Sequence, residues 1–162
     1  MSIKILYNDC YGGFEFSREF LEEYKARTGK ALNTYTALFR QGPNSIRCDP
    51  TAVALVEERG SVWASGDHCE IAIREIPAVF ARYWTIDEYD GDETVLVDVS
   101  AALADILQTF METRNLEELD RQYKTVMEAR LAMMKLPVVP APEATTPPVL
   151  KTETNVESCS SS

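Results

Sequence analysis

The sequence predicts an α+β domain in which a small, mostly antiparallel sheet is packed by helices and followed by a C-terminal helical pair. Alternating apolar residues on both sides of Asp90-Gly91 indicate a β-hairpin, because an Asp-Gly pair favours a two-residue turn. Other segments carry complete helix start and stop signals. We therefore assign residues 1–135 to a single α+β domain and residues 136–162, a Pro- and Ser-rich segment, to a flexible or extended tail.

The first half of the chain predicts a strand followed by two helices. The apolar run at residues 2–8 predicts the strand. Ser17 is a favourable N-cap for a first helix, and Gly29 can end that helix in the left-handed conformation. Asp49 and Pro50 are typical of the N-cap and first turn of a second helix.

Residues 30–48 are less regular, and a short strand at residues 35–39 is an open alternative. Arg47, beside Asp49, is expected in an exposed ion pair.

The segment "HCEIAIREI" alternates and predicts a half-buried strand that begins at His68 and is ended by Pro77. In the hairpin that follows, a two-residue turn places Trp84 opposite Val97 and makes one face apolar. The same register sets Glu88 opposite Glu93, which we expect to repel mildly at a solvated tip.

The last part of the domain predicts two helices, the first beginning at Ser100 and the second capped by Asn115. The second has a short heptad seam, which is more typical of a core-facing helix than of a coiled coil. The seam nevertheless makes helix 116–134 a candidate surface for self-association. The tail 137–162 is the other candidate surface. The seam contains Leu116, Leu119, Tyr123, Val126, Arg130 and Met133.

Composition excludes several classes of function. The formal net charge of −10 disfavours binding to nucleic-acid backbones, although an acidic mimic of nucleic acid remains an alternative. No apolar run is long enough to span a membrane. The four cysteines have irregular spacing, so we interpret them as free thiols in a reducing compartment. No cofactor motif is present.

Three chemical alternatives remain open. Cys10 before the first helix and His68, the only histidine, follow the chain order of papain-like hydrolases, which makes a cysteine hydrolase the runner-up function. A zinc site would have to combine these two residues with Cys48 and Cys69, without any Cys-x-x-Cys pair. The six acidic residues from Asp87 to Asp98 suggest a solvated hairpin, with weak divalent-cation binding as the alternative.

Four segments, "YNDCYGGFEFSREFLEEY", "IRCDPTAVALVEERGS", "EIAIREIP" and "IDEYDGDETV", resemble small proteins of nucleocytoplasmic large DNA viruses of the marseillevirus and mimivirus type. The resemblance covers residues 2–99, and the chain from Asn115 onward departs from it. It implies a viral source and a location in the host cytoplasm or the virion. It implies no reaction, cofactor or catalytic residue.

The leading functional prediction is therefore a non-enzymatic interaction or structural protein of a large DNA virus, including a virion-associated role. No segment combines a nucleophile, a base and an oxyanion donor, whereas the last helix and the Pro-rich tail suit contact with other proteins. The predicted partner is a protein, either a second copy of the chain or another species.

Overall fold

The computed structural model describes residues 1–32 and 45–135, and its secondary structure confirms the α+β class. Short 3₁₀ turns occur at Ile46–Cys48 and Ala78–Phe80. The predicted strand at 35–39 and the predicted tail at 136–162 lie outside the described residues. The elements, in chain order, are β1 (Ser2–Asn8), α1 (Arg18–Thr28), α2 (Pro50–Arg59), α3 (Ser61–Ala64), β2 (Ile71–Pro77), β3 (Trp84–Tyr89), β4 (Asp92–Val97), α4 (Val99–Thr113) and α5 (Leu116–Lys135).

The described strands form two separate two-stranded antiparallel sheets. β1 pairs with β2, and Asn8 lies opposite Ile71. β3 pairs with β4 in the predicted register, in which Trp84 lies opposite Val97. Both turn residues of this hairpin have positive φ, 53° at Asp90 and 88° at Gly91, as a type I′ turn requires.

The β1–β2 sheet separates two hydrophobic cores. Ile5 and Leu6 are adjacent on β1 and both are fully buried, so they must project from opposite faces of the sheet. Leu6 belongs to a first core that also contains Phe20 of α1 and Leu55 of α2. Ile5 belongs to a second core that contains Trp84 of the hairpin and Ile106 of α4. One two-stranded sheet is therefore covered on both sides, which explains how so small a sheet supports the domain.

The caps of α1 and α2 are confirmed. The Ser17 side chain accepts a hydrogen bond from Phe20 N, and Gly29 ends α1 with φ of 70°. The Asp49 side chain accepts from the main-chain N–H groups of Thr51 and Ala52.

Two predicted starts were wrong. α4 begins at Val99 rather than Ser100, because the Asp98 carboxylate accepts a hydrogen bond from Ala101 N at 2.9 Å and so is the N-cap. β2 begins at Ile71 rather than His68, because His68 has φ of 60°, a turn conformation incompatible with a strand.

Helix α5 divides the predicted heptad seam into two rows. Leu119, Val126 and Met133 pack against the second core. Leu116 and Tyr123 are exposed on another side of the same helix.

Among the described residues, no helix combines the length and apolar character needed to cross a membrane.

The cap assignment gives a stability prediction for α4. Replacing Asp98 with Ala removes the acceptor for Ala101 N and should lower the free energy of unfolding by about 1 kcal/mol. Ser100→Ala is the matched control and should change it little, because Ser100 lies within the helix. Urea denaturation followed by circular dichroism measures both, and an equal effect of the two changes would contradict the assignment.

Candidate functional site

Arg47 and Glu93 form a buried ion pair. Arg47 Nη1 lies 2.6 Å from Glu93 Oε2, and Nη2 lies 2.7 Å from Oε1, so the contact is bidentate. Both side chains are only 4% exposed. The guanidinium also lies over the Phe14 ring, 3.8 Å from its centroid, in a cation–π contact.

The ion pair covers the free edge of β1. Arg47 Nη1 donates to Leu6 O at 3.2 Å, and Glu93 Oε2 accepts from Asn8 N at 2.8 Å. In an antiparallel pair, alternate residues direct their main-chain groups away from the neighbouring strand. The two side chains therefore take the hydrogen bonds that a third strand would otherwise make with this edge.

This arrangement corrects two predictions. Glu93 is not solvated beside Glu88, and Arg47 is not in an exposed ion pair, because each charge is the other's buried partner. One feature of the sequence could have indicated that Glu93 is buried and paired with a cation. The hairpin register puts Glu93 on the same face as Trp84 and Val97, and a carboxylate on an inward face needs a cationic partner.

Asn8, at the end of β1, has a fully buried side chain with every polar atom bonded. Its Nδ2 donates to Cys10 O and to Gly91 O, each at 2.7 Å. Its Oδ1 accepts from Glu70 N at 2.8 Å and from Cys10 Sγ at 3.3 Å. One amide thus connects three loops. Nothing in the sequence indicates this role, because a lone Asn at a strand end has no distinguishing pattern.

We call the place where residues 9–15, 66–70 and 88–93 meet the loop junction. Its close packing depends on two glycines. A Cβ atom on Gly12 would lie 1.6 Å from His68 O, and one on Gly91 would lie 2.5 Å from Gly12 N. The Gly12-Gly13 turn is therefore held against both the His68 turn and the tip of the hairpin.

Cys10 and His68, the predicted catalytic pair, meet at the loop junction through the main chain of His68. Cys10 Sγ lies 3.5 Å from His68 O and 3.3 Å from Asn8 Oδ1, so both of these contacts are to oxygen atoms. Nucleophile activation would need the thiol to bond an imidazole nitrogen. These contacts add no support to the hydrolase alternative, which stays a prediction.

The cysteines proposed as zinc ligands divide between the two sides of the sheet. Cys48 packs against the second core and Cys69 against the first. Burial raises the pKa of each of these two thiols to about 11. The four-residue zinc alternative is therefore wrong, since its members do not converge.

The acidic hairpin tip is otherwise exposed to solvent, at Asp87, Glu88 and Asp90. Glu88 and Asp90 line an open cleft of about 410 Å³ together with Tyr11 and the adjoining glycines. Within residues 1–32 and 45–135, no three His, Cys, Asp or Glu side chains are grouped as a metal site requires. The predicted hairpin is confirmed by its register, and Asp87, Glu88 and Asp90 are solvated as expected, whereas Gly91 and Glu93 are buried and Asp92 is half-buried.

Comparison of the chain with protein-family models, with curated proteins and with solved structures finds no match. The resemblance of residues 2–99 to small proteins of large DNA viruses therefore stays a prediction.

The ion pair gives a prediction about stability. Glu93→Leu and Arg47→Leu should each lower the free energy of unfolding by about 3–5 kcal/mol, because each leaves a buried charge without its partner. The double variant should lose less than the sum of the two single losses. Glu57→Gln, which removes the exposed ion pair with Lys4, should have a far smaller effect, because solvent screens that pair.

Urea denaturation measured by tryptophan fluorescence distinguishes these outcomes. Equal losses for Glu93→Leu and Glu57→Gln would show that the buried pair has no special role.

The loop junction gives a second prediction. Gly12→Ala should lower the free energy of unfolding by about 3 kcal/mol, because the new methyl group would collide with a main-chain carbonyl. Gly29→Ala is the control. Its φ is 70° but no atom lies within 4 Å of the added carbon, so backbone strain of about 1 kcal/mol should be the whole effect. Thermal unfolding by calorimetry measures both, and equal losses would refute close packing at Gly12.

Proposed function

We propose that this chain is a non-enzymatic interaction protein that associates with a second copy of itself through one exposed face of α5. The observation that carries the proposal is a row of exposed apolar residues on that helix. Leu116 is 68% exposed, Tyr123 48% and Met134 66%. At 100° per residue these three side chains fall within about 20° of one another around the helix axis.

We call this row the α5 stripe, with members Leu116, Asp120, Tyr123, Met127, Arg130 and Met134. Its steps of four and three residues are those of a heptad repeat, and it runs roughly 27 Å along the helix. It is rotated by about 80° from the row of Leu119, Val126 and Met133 that packs in the second core. The stripe is therefore a second apolar face of α5, separate from the one that holds the helix on the domain.

The stripe matches itself when two copies of α5 cross antiparallel at residue 125. Leu116 then lies in the same layer as Met134 of the second copy, and Tyr123 lies with Met127 of the second copy. Asp120 and Arg130 share the layer between them, so a carboxylate meets a guanidinium twice in the dimer. Asp120 also bonds Lys124 of its own helix in an exposed ion pair, which Arg130 of the second copy would join. Arg130 is exposed and has no ion pair within the described part of the chain, which leaves it free for this contact.

This two-fold match favours a second copy over an unrelated partner, because an isologous interface needs a surface that is complementary to itself. The apolar layers supply burial, and the two Asp-Arg layers fix the antiparallel register. A helix pair of this length buries less surface than a permanent dimer does, so we expect a reversible dimer whose population depends on protein concentration.

The resemblance of residues 2–99 adds the proposal that the protein belongs to a large DNA virus and acts in the host cytoplasm or the virion. Mass spectrometry of purified particles and of infected-cell extracts tests that location. The alternative function, an acidic mimic of nucleic acid, is supported only by the net charge of the chain.

Sedimentation velocity on the full chain over a wide range of concentrations tests self-association. We expect a monomer–dimer equilibrium that Arg130→Asp weakens by at least about tenfold, because two aspartates would then meet in each charged layer. Exchange of both charges, Asp120→Arg with Arg130→Asp, should restore the dimer. Circular dichroism checks that each variant remains folded.

Tyr123→Ser should also weaken the dimer. Val62→Ser is the matched control, because Val62 is 94% exposed on α3, outside the stripe, and this change should have no effect. Deletion of residues 136–162 should leave the dissociation constant unchanged. A monomer at every concentration, a dimer insensitive to Tyr123→Ser, or a dimer lost with the tail would each overturn the proposal.

A further inference from the structure

The register of the β1–β2 sheet places two cysteines opposite each other just beyond the ends of the strands. Asn8 pairs with Ile71 at the last position of the ladder. The next pair continues the same register, because Asp9 N donates to Glu70 O at 2.8 Å. One further step puts Cys10 opposite Cys69. Alternation also puts both cysteines on the face that bears Asn8 and Ile71.

The contacts of Cys10 support this placement. Cys10 Sγ lies 3.5 Å from His68 O, the carbonyl oxygen of the residue that precedes Cys69. Standard bond lengths then put Cys10 Sγ within roughly 6 Å of the Cys69 Cα. Opposed residues at a non-hydrogen-bonded position of an antiparallel pair have Cα atoms about 4.5 Å apart, inside the range that disulfides adopt.

Only weak hydrogen bonds of the two thiols have to break before the two sulfur atoms can meet. The single S–H proton of Cys10 has two oxygen atoms within reach, and Cys69 Sγ accepts from Glu15 N at 3.3 Å. These are weak bonds, because sulfur is a weak donor and a weak acceptor. Asn8 Oδ1 would keep its bond from Glu70 N. Both thiols are half-buried, so small reagents can reach them.

We propose that Cys10 and Cys69 form a reversible intramolecular disulfide, with a low-molecular-weight disulfide such as oxidised glutathione as the oxidant. Cys10, deprotonated, attacks one sulfur of the oxidant, forms a mixed disulfide and releases one glutathione thiolate. Cys69 then loses its proton, attacks the Cys10 sulfur of that mixed disulfide and releases the second glutathione. The two cysteines lose two electrons and two protons in total, and the oxidant gains them as two molecules of glutathione.

The bond would fix the loop junction. It links the segment before Gly12 to the turn of His68, which already lie in contact, and closes a long stretch of chain between residues 10 and 69. Constraining the unfolded chain in this way should raise Tm. The disulfide shares no residue with the α5 stripe, so a test of the disulfide and a test of self-association give independent results.

The test uses the full chain with Cys48→Ala and Cys159→Ser, which leaves only the two cysteines of interest. After treatment with oxidised glutathione we expect a loss of two thiols, a mass decrease of about 2 Da, and a peptide in which Cys10 is joined to Cys69. Tm should rise, and dithiothreitol should reverse every change. Peptide mapping of the oxidised wild-type chain should find the same link, which keeps the test independent of the substitutions.

The matched control retains Cys10 and Cys48 and carries Cys69→Ser and Cys159→Ser. Cys48 packs against the second core on the other side of the sheet, so this variant should gain glutathione on Cys10 and form no internal link. Glutathione adducts on both Cys10 and Cys69 without a bond between them, or equal cross-linking of Cys10 to Cys48, would overturn the proposal.

Discussion

The buried ion pair between Arg47 and Glu93 is the interaction on which the arrangement of the described residues depends. Removing two charges from water costs several kcal/mol for each ion, and only close, well-bonded geometry offsets that cost. Here the contact is bidentate, and each partner also bonds a main-chain group of β1. The pair therefore requires three segments to be in place at once: the turn before α2, the edge of β1, and the tip of the hairpin.

The position of the hairpin follows from this requirement. Because Glu93 lies two residues beyond Gly91, holding its carboxylate at the β1 edge brings the turn onto the Gly12-Gly13 segment. Asn8 then completes the contact with hydrogen bonds to Gly91 and Glu70. The placement of Cys10 against the His68 turn is a consequence of the same packing, so the thiol chemistry proposed for this end of the sheet has its origin in a structural charge.

The proposed self-association uses a surface that the interior does not need. Arg47 and Glu93 satisfy each other inside the molecule and offer little to a ligand. Helix α5 packs one face on the second core, and its stripe of Leu116, Tyr123 and Met134 stays in solvent. An apolar row that the fold does not cover is costly to maintain in water, and a second copy of the same row is a surface that can cover it.

The sequence by itself determined the local structure. The caps at Ser17 and Asp49 and the end of α1 at Gly29 were predictable because each involves hydrogen bonds or backbone angles within a few residues. The hairpin register was predictable for the same reason, since the Asp90-Gly91 turn and the alternation of apolar residues act between neighbours. Asp98 as the cap of α4 was missed because Ser100 offers an equally suitable side chain two positions later.

Tertiary structure alone decided the partners of the polar side chains and the use of each helix face. Arg47 and Glu93 are 46 residues apart, and nothing local connects them. We infer that Cys10 faces Cys69 from the β1–β2 register, which joins segments about 59 residues apart in the chain. In α5 two heptad rows overlap in sequence, and only packing against the second core determines which row is buried. A pattern of residue types specifies distances along the chain, whereas these outcomes depend on distances across space.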